Sequence, residues 1–229
     1  MTLVGHRGAA GLAPENSLKA IRAARSLGID AIELDIRVTK DNKLVLCHDY
    51  ALNRLANIPT EIGKKTLAHL KEIKLISGEY LASLSEALTL AENTALIIEG
   101  KGSGWATPLS ESINHYPYRR LLKVTSFNTS ELKKFRDICP DIKVYMLGHV
   151  NIIRTIRSAA KHNFHGIYVR YMILNPLMYR YAKKYDLNVI VYTVNSRLLA
   201  RLISKFYPKV AITTDVPHKL KHLVKAINH

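Results

Sequence analysis

Glu33 and Asp35 stand two residues apart inside the apolar run Ala31-Ile32-Glu33-Leu34-Asp35. In an extended strand that spacing puts both carboxylates on one face. Glu99 and Lys101 repeat it at the end of a second apolar run, Ala95–Lys101. His6 and Arg7 follow the short run Leu3–Gly5, and His48 closes Lys43–His48. Two carboxylates side by side in a buried strand repel each other unless positive charge lies between them. A divalent cation is the simplest such charge. Three carboxylates without cysteine or a clear histidine ligand set favour a hard, oxygen-loving ion, Mg²⁺ or Ca²⁺. Arg7 and Lys101 add permanent positive charge suited to a phosphate. His6 and His48 offer a proton acceptor and a proton donor near neutral pH. Charge clamp, metal and acid/base pair together fit phosphoryl-transfer chemistry.

Each of these features has a plainer reading when taken alone. Glu33 and Asp35 could pair with Arg7 or Arg37, and Glu99 with Lys101, as ordinary ion pairs. What favours a site is that all of them fall at successive strand ends. Strand-like runs occur at Leu3–Gly5, Ala31–Asp35, Ala95–Lys101, Leu122–Phe127, Lys143–Leu147, Gly166–Arg170, Asn188–Val194 and Val210–Thr214. They show little polar alternation, as strands buried on both faces do. Helical periods at Asn16–Leu27, Leu84–Glu92, Thr129–Cys139, Asn151–Asn163, Pro176–Tyr185, Arg197–Phe206 and Pro217–Ile227 separate most of them. Asn16 is placed to cap the first helix, Asn128 or Thr129 the third, and Ser196 the sixth. Eight strands alternating with helices over 229 residues predict a single (β/α)₈ barrel domain over residues 1–229. An open doubly wound sheet fits less well, because no Gly-x-Gly-x-x-Gly turn follows the first strand. Lys43–His48 reads as a small hairpin extension after the second strand, joined through the turn residues Asp41-Asn42, with a long connection over 49–83. In such a barrel the strand ends named above share one rim.

The chain carries 34 basic and 18 acidic residues, a net charge of +16. Residues 1–115 hold 13 of each sign, so the whole excess lies in 116–229, with 21 basic and 5 acidic. That asymmetry fits an anionic partner and makes peripheral contact with an anionic membrane through the C-terminal half an expectation. No aromatic-rich basic motif marks a nucleic-acid site. No apolar run reaches the roughly 18 residues of a membrane span. The N-terminus lacks a signal-like segment, and two cysteines demand no disulfide, so a reduced cytoplasmic setting is expected. Nothing in the pattern sets an oligomeric state.

Val4-Gly5-His6-Arg7-Gly8 followed by Ala13-Pro14-Glu15-Asn16-Ser17 resembles the opening signature of the glycerophosphodiester phosphodiesterases. Ile32-Glu33-Leu34-Asp35, Thr39-Lys40-Asp41, Leu46-Cys47-His48-Asp49 with Arg54, and Ile98-Glu99-Gly100-Lys101 continue the resemblance in order. Ser126-Phe127, Tyr192-Thr193-Val194-Asn195 and Thr213-Thr214-Asp215-Val216-Pro217 resemble later motifs. The resemblance implies a TIM barrel that hydrolyses glycerophosphodiesters to sn-glycerol 3-phosphate and an alcohol, by way of a cyclic phosphate formed by a glycerol hydroxyl. It implies His6 and His48 as the acid/base pair, leaving open which is which. It also implies Glu33, Asp35 and Glu99 as ligands of a divalent cation, and Arg7 and Lys101 as phosphate contacts. Phe127 and Tyr192 are expected to line the substrate site. Three departures stand out: Tyr192 replaces the usual Trp, Leu81-Ala82-Ser83-Leu84 replaces Pro-Thr-Leu, and the segment after His48 is too short for the larger inserted subdomain of some relatives. The same metal site would also serve a lysophospholipase D or a sphingomyelinase-D-like enzyme. A catalytically silent barrel that binds anionic ligands is the reading from another class.

Overall fold

The computed structural model describes residues 2–227, so Met1, Asn228 and His229 of the expected domain lie outside the described residues. Its elements run β1 (Thr2–Gly5), α1 (Leu18–Ser26), β2 (Ala31–Val38), β3 (Leu44–Leu46), α2 (Asn53–Ala56), α3 (Leu67–Glu72), α4 (Leu84–Ala91), β4 (Ala95–Gly100) and α5 (Ala106–Ser112). They continue as β5 (Leu122–Ser126), α6 (Thr129–Ile138), β6 (Lys143–Gly148), α7 (Ile152–Lys161), β7 (Gly166–Arg170), α8 (Pro176–Lys184), β8 (Asn188–Tyr192), α9 (Arg197–Phe206), β9 (Ala211–Thr214) and α10 (Pro217–Ile227). The strands pair in the order β1-β9-β8-β7-β6-β5-β4-β2, and β1 pairs with β2 to close the ring. All eight ring strands are parallel, as expected of a TIM barrel. β3 lies outside the ring, antiparallel to the extended end of β2.

Strand residues alternate between two apolar clusters. Ile32 and Leu34 of β2, Leu96 and Ile98 of β4, and Ile167 and Val169 of β7 join the larger cluster, with helix residues such as Ile21 and Phe135. Val4, Ala31, Ile97, Tyr145, Leu147, Tyr168 and Ile190 form a separate, smaller cluster. The first set packs the helices on the barrel wall and the second fills its interior. Glu33, Asp35 and Glu99 share the period of Ala31 and Ile97, so they face inward.

The helices follow from local chemistry. α7 buries Ile152, Thr155, Ile156 and Ala159 at the spacing of one helical face. Asn128, Asn151, Asn175 and Ser196 cap α6, α7, α8 and α9, each accepting a backbone N–H from the first turn. In the departure Leu81-Ala82-Ser83-Leu84, Ser83 forms a capping box with Glu86 that starts α4. α1 is capped by Ser17, not by Asn16 as its position suggested. The 49–83 connection is not bare loop. It folds as α2, α3 and a 3₁₀ turn around a core of Val45, Cys47, Leu52, Ile62, Leu70 and Leu81. That satellite core anchors the segment carrying His48.

Candidate active site

β1 ends at Gly5, and the chain turns back at once. Arg7 and Gly8 take positive φ values of 50° and 91°. A side chain on Gly8 would collide with Ala20, its Cβ falling 2.6 Å from that of Ala20, so the turn needs glycine there. The turn aims the Arg7 backbone N–H at Glu33 Oε2, 2.9 Å away. It also brings the guanidinium to Asp35, with Nε 3.2 Å from Oδ2, and to Glu15, with Nη1 2.8 Å from Oε1. Lys101, just past β4, reaches both Asp35 Oδ1 at 3.1 Å and Glu99 Oε1 at 2.5 Å. Arg37 takes no part in this cluster; it donates twice to the His48 carbonyl.

Carboxylate oxygens of Glu33, Asp35 and Glu99 all lie within 4.8 Å of one another, and all three residues are buried. Their protonation equilibria diverge. Burial pushes the Glu33 carboxyl well above its ordinary range, and the charges of Asp35 and Glu99 push it further. Burial and Asp35 raise Glu99 to about 7, against the opposing pull of Lys101. Burial also presses on Asp35, but Lys101, Arg7 and a hydrogen bond from Asn16 outweigh it and hold that carboxyl below its ordinary value. Glu33 Oε1 is buried with no hydrogen-bond partner. A buried anionic oxygen without a partner is costly, and a divalent cation is the partner that removes the cost. Glu99 Oε1 likewise lacks a hydrogen bond and has only its ion pair with Lys101, so the three clustered carboxylates fit a metal ion.

Above the carboxylates lies a cleft of about 250 Å³. Of the residues expected at the site, His6, Arg7, His48, Glu99, Lys101, Phe127 and Tyr192 line it, while Glu33 and Asp35 sit buried behind its wall. The two histidines are held alike. His6 Nδ1 lies 2.7 Å from Asp215 Oδ1, and His48 Nδ1 lies 2.8 Å from Asp49 Oδ1. In each ring the carboxylate fixes the orientation through Nδ1, and Nε2 of His6 lies 3.9 Å from Glu33 Oε2. Asn195 donates to the other oxygen of Asp215, and with His6 it holds that carboxyl below its ordinary value against burial. Burial lowers the His48 imidazole, outweighing Asp49. His48 lies beyond the end of β3, at the head of the satellite fold.

Residues 6–219 match the Glycerophosphoryl diester phosphodiesterase family. The chain belongs to this family. By that membership the protein is a phosphoric diester hydrolase. It is similar to a glycerophosphodiester phosphodiesterase of Caldanaerobacter subterraneus subsp. tengcongensis, 26% identical with 97% of each chain covered. A glycerophosphodiester phosphodiesterase of Thermotoga maritima is 25% identical, with a TM-score of 0.81 over 99% of this chain and 98% of that one. An Oleispira antarctica phosphodiesterase, solved in complex with the product sn-glycerol-3-phosphate, shares the fold. Its TM-score is 0.91 at 22% identity, over 98% of this chain and 97% of that one.

The cleft of the phosphodiesterase also holds residues that sequence reasoning missed or placed elsewhere. Asn16 does not cap a helix. Its Nδ2 donates to Asp35 Oδ2 at 2.9 Å, and its Oδ1 accepts the Asp35 backbone N–H at 3.0 Å. Arg54 donates to both Asp49 and Glu15, joining the His48 arm to the Arg7 arm. His149 and Arg170 also line the cleft. Arg170 ends β7, and strand-end position was the signal that could have found it. Phe127 packs edge-on against His149, ring centroids 5.0 Å apart. Tyr192 stands edge-on to Tyr168, whose hydroxyl donates to Thr213 inside the barrel. Gly100 lies flat under Trp105, with no room for a side chain between them.

Proposed function

We propose that the protein hydrolyses glycerophosphodiesters to sn-glycerol 3-phosphate and an alcohol, using a divalent cation held by Glu33, Asp35 and Glu99. The buried carboxylate cluster with its unpartnered Glu33 oxygen, set between Arg7 and Lys101, carries this reading. When bound, the cation supplies positive charge to the phosphodiester oxygens and acidifies the hydroxyl that attacks phosphorus. The all-oxygen ligand set favours Mg²⁺ or Ca²⁺.

The remaining roles belong to the chain itself. Arg7 and Lys101 bind the phosphate. Each is held in place by ion pairs to the carboxylates behind it. The Nε2 of one histidine takes the proton of the attacking glycerol hydroxyl, and that of the other gives a proton to the leaving alcohol oxygen, forming a cyclic phosphate; the two then exchange roles as water gives up a proton and opens the ring to sn-glycerol 3-phosphate. Asp215 and Asp49 keep the Nδ1 proton in place so that Nε2 can serve. Phe127 and Tyr192, which line the cleft, supply its aromatic contacts to the substrate. Cys47 and Cys139 are both buried and unpaired, which supports a reduced, cytoplasmic setting.

The test is release of glycerol 3-phosphate from a panel of glycerophosphodiesters with Mg²⁺, Ca²⁺ or EDTA. Release that EDTA abolishes and one of the two ions restores is expected. Release unaffected by EDTA overturns the cation, and no release from any member of the panel overturns the substrate class.

A further inference from the structure

In a parallel barrel, every loop that follows a strand lies on the face bearing the active site. On this face, four consecutive loops and helix starts carry exposed large apolar side chains. Phe127 follows β5, Val150 and Ile153 follow β6, Met172 and Leu177 follow β7, and Leu198 follows β8; they are 41–76% exposed. A second cavity, of about 330 Å³, runs outward among them past Phe127, Leu147, His149 and Val150. It shares Phe127, Leu147 and His149 with the catalytic cleft. The apolar rim is therefore continuous with the mouth of the site.

The same stretch is one-sided in charge. Residues 142–185 contain no Asp or Glu, yet include Arg154, Arg157, Arg170 and Arg180. Asp186 is the only acid between Asp141 and Asp215. It precedes β8, at the end of the barrel away from the mouth. Glu131, in the first turn of α6, is tied to the backbone of Ala106, and Asp215 to His6 and Asn195. The other half of the rim carries Glu15, Asp49 and Glu61, held by Arg7, Arg54, His48 and Lys64. A soluble partner of ordinary composition has no need of a row of exposed apolar side chains among unopposed arginines. A lipid surface takes both at once: apolar tips enter the acyl boundary while basic groups sit on anionic headgroups.

We infer that the half-rim formed by the loops after β5, β6, β7 and β8 seats the enzyme on an anionic lipid bilayer, with the mouth of the active site against the membrane. The inference stands on surface geometry and charge, independently of which phosphodiester is cleaved. It is tested by sedimentation with vesicles of phosphatidylcholine containing phosphatidylglycerol, against vesicles of phosphatidylcholine alone. The whole chain is expected to bind the first and not the second, and to be released by high salt. The triple variant Met172→Ser, Leu177→Ser, Leu198→Ser is expected to bind at least ~10-fold more weakly. Its turnover of a soluble glycerophosphodiester is expected to stay unchanged, which shows it folded. Failure of the unaltered protein to bind phosphatidylglycerol vesicles overturns the inference, as does equal binding by the variant. Self-association on gel filtration that the triple variant abolishes, without vesicle binding, assigns the rim to a second copy instead. Retention on duplex DNA with no vesicle binding assigns it to nucleic acid.

Discussion

Replacing Glu33 with Gln should make the metal-free protein more stable while destroying its response to metal. Glu33 is buried, and its carboxyl lies within 4.8 Å of those of Asp35 and Glu99. At that separation each ionised neighbour costs roughly 3.5 kcal/mol at an effective dielectric of about 20. The alternative is to keep a proton on Glu33, which at pH 8 costs up to about 5 kcal/mol against an unfolded pKa near 4.3. Gln removes either cost. It can still accept the Arg7 backbone N–H through its carbonyl oxygen, but its buried amide gives back about 1–3 kcal/mol if it finds no partner. The net gain should be about 2 kcal/mol, or roughly 4–8 °C in Tm for a chain of this length. The pH dependence has a definite sign. A carboxyl whose folded pKa is raised imposes no penalty below its unfolded pKa, and the penalty grows as pH rises toward the folded value. Both Glu33 and Glu99, the latter raised to about 7, act in this direction. The advantage of Glu33→Gln should thus be present at pH 8 and vanish near pH 5. The assay is thermal melting in EDTA across that range, repeated with Mg²⁺ or Ca²⁺. The ion should raise the melting temperature of the unaltered protein and not that of the variant. A variant less stable than the parent in EDTA at pH 8, or one that keeps the full ion-induced rise, would refute the reasoning.

Other outcomes follow from the same geometry. Asn16→Ala removes two hydrogen bonds with Asp35 and should cost about 1–3 kcal/mol in urea unfolding, since the buried carboxylate loses a donor and the Asp35 backbone N–H its acceptor. Asp215→Asn should lower kcat by ~10²–10⁴ with little change in Tm, because the amide no longer fixes which nitrogen of His6 carries the proton. Gly100→Ala would put a methyl 2.2 Å from the Trp105 ring, and should destabilise the fold by about 1–3 kcal/mol or more in the same unfolding assay.

The barrel was legible because its strands are continuous apolar runs, and the carboxylates were legible because they interrupt those runs at the spacing of one face. Where reasoning failed, the cause lay between distant parts of the chain. Asn16 occupies a helix-start position in the sequence, and only the left-handed turn at φ 53° sends its amide to Asp35 instead. α5 went unread because Pro108 and two serines obscure a helical period in a segment of seven residues. The 49–83 segment looked like loop because its apolar residues serve a satellite core with no period of its own. The partnership of Arg54 with Glu15 has no local signal at all.

That last contact ties the two sides of the mouth together. Glu15 accepts hydrogen bonds from Arg7 on one side and Arg54 on the other, and Arg54 holds Asp49, which holds His48. A loop from the first strand and a separate small fold after the second are thereby clasped at one carboxylate. The two arms share a single latch. A shift of the His48 arm is therefore felt at Glu15, the carboxylate that also steadies the phosphate-facing guanidinium.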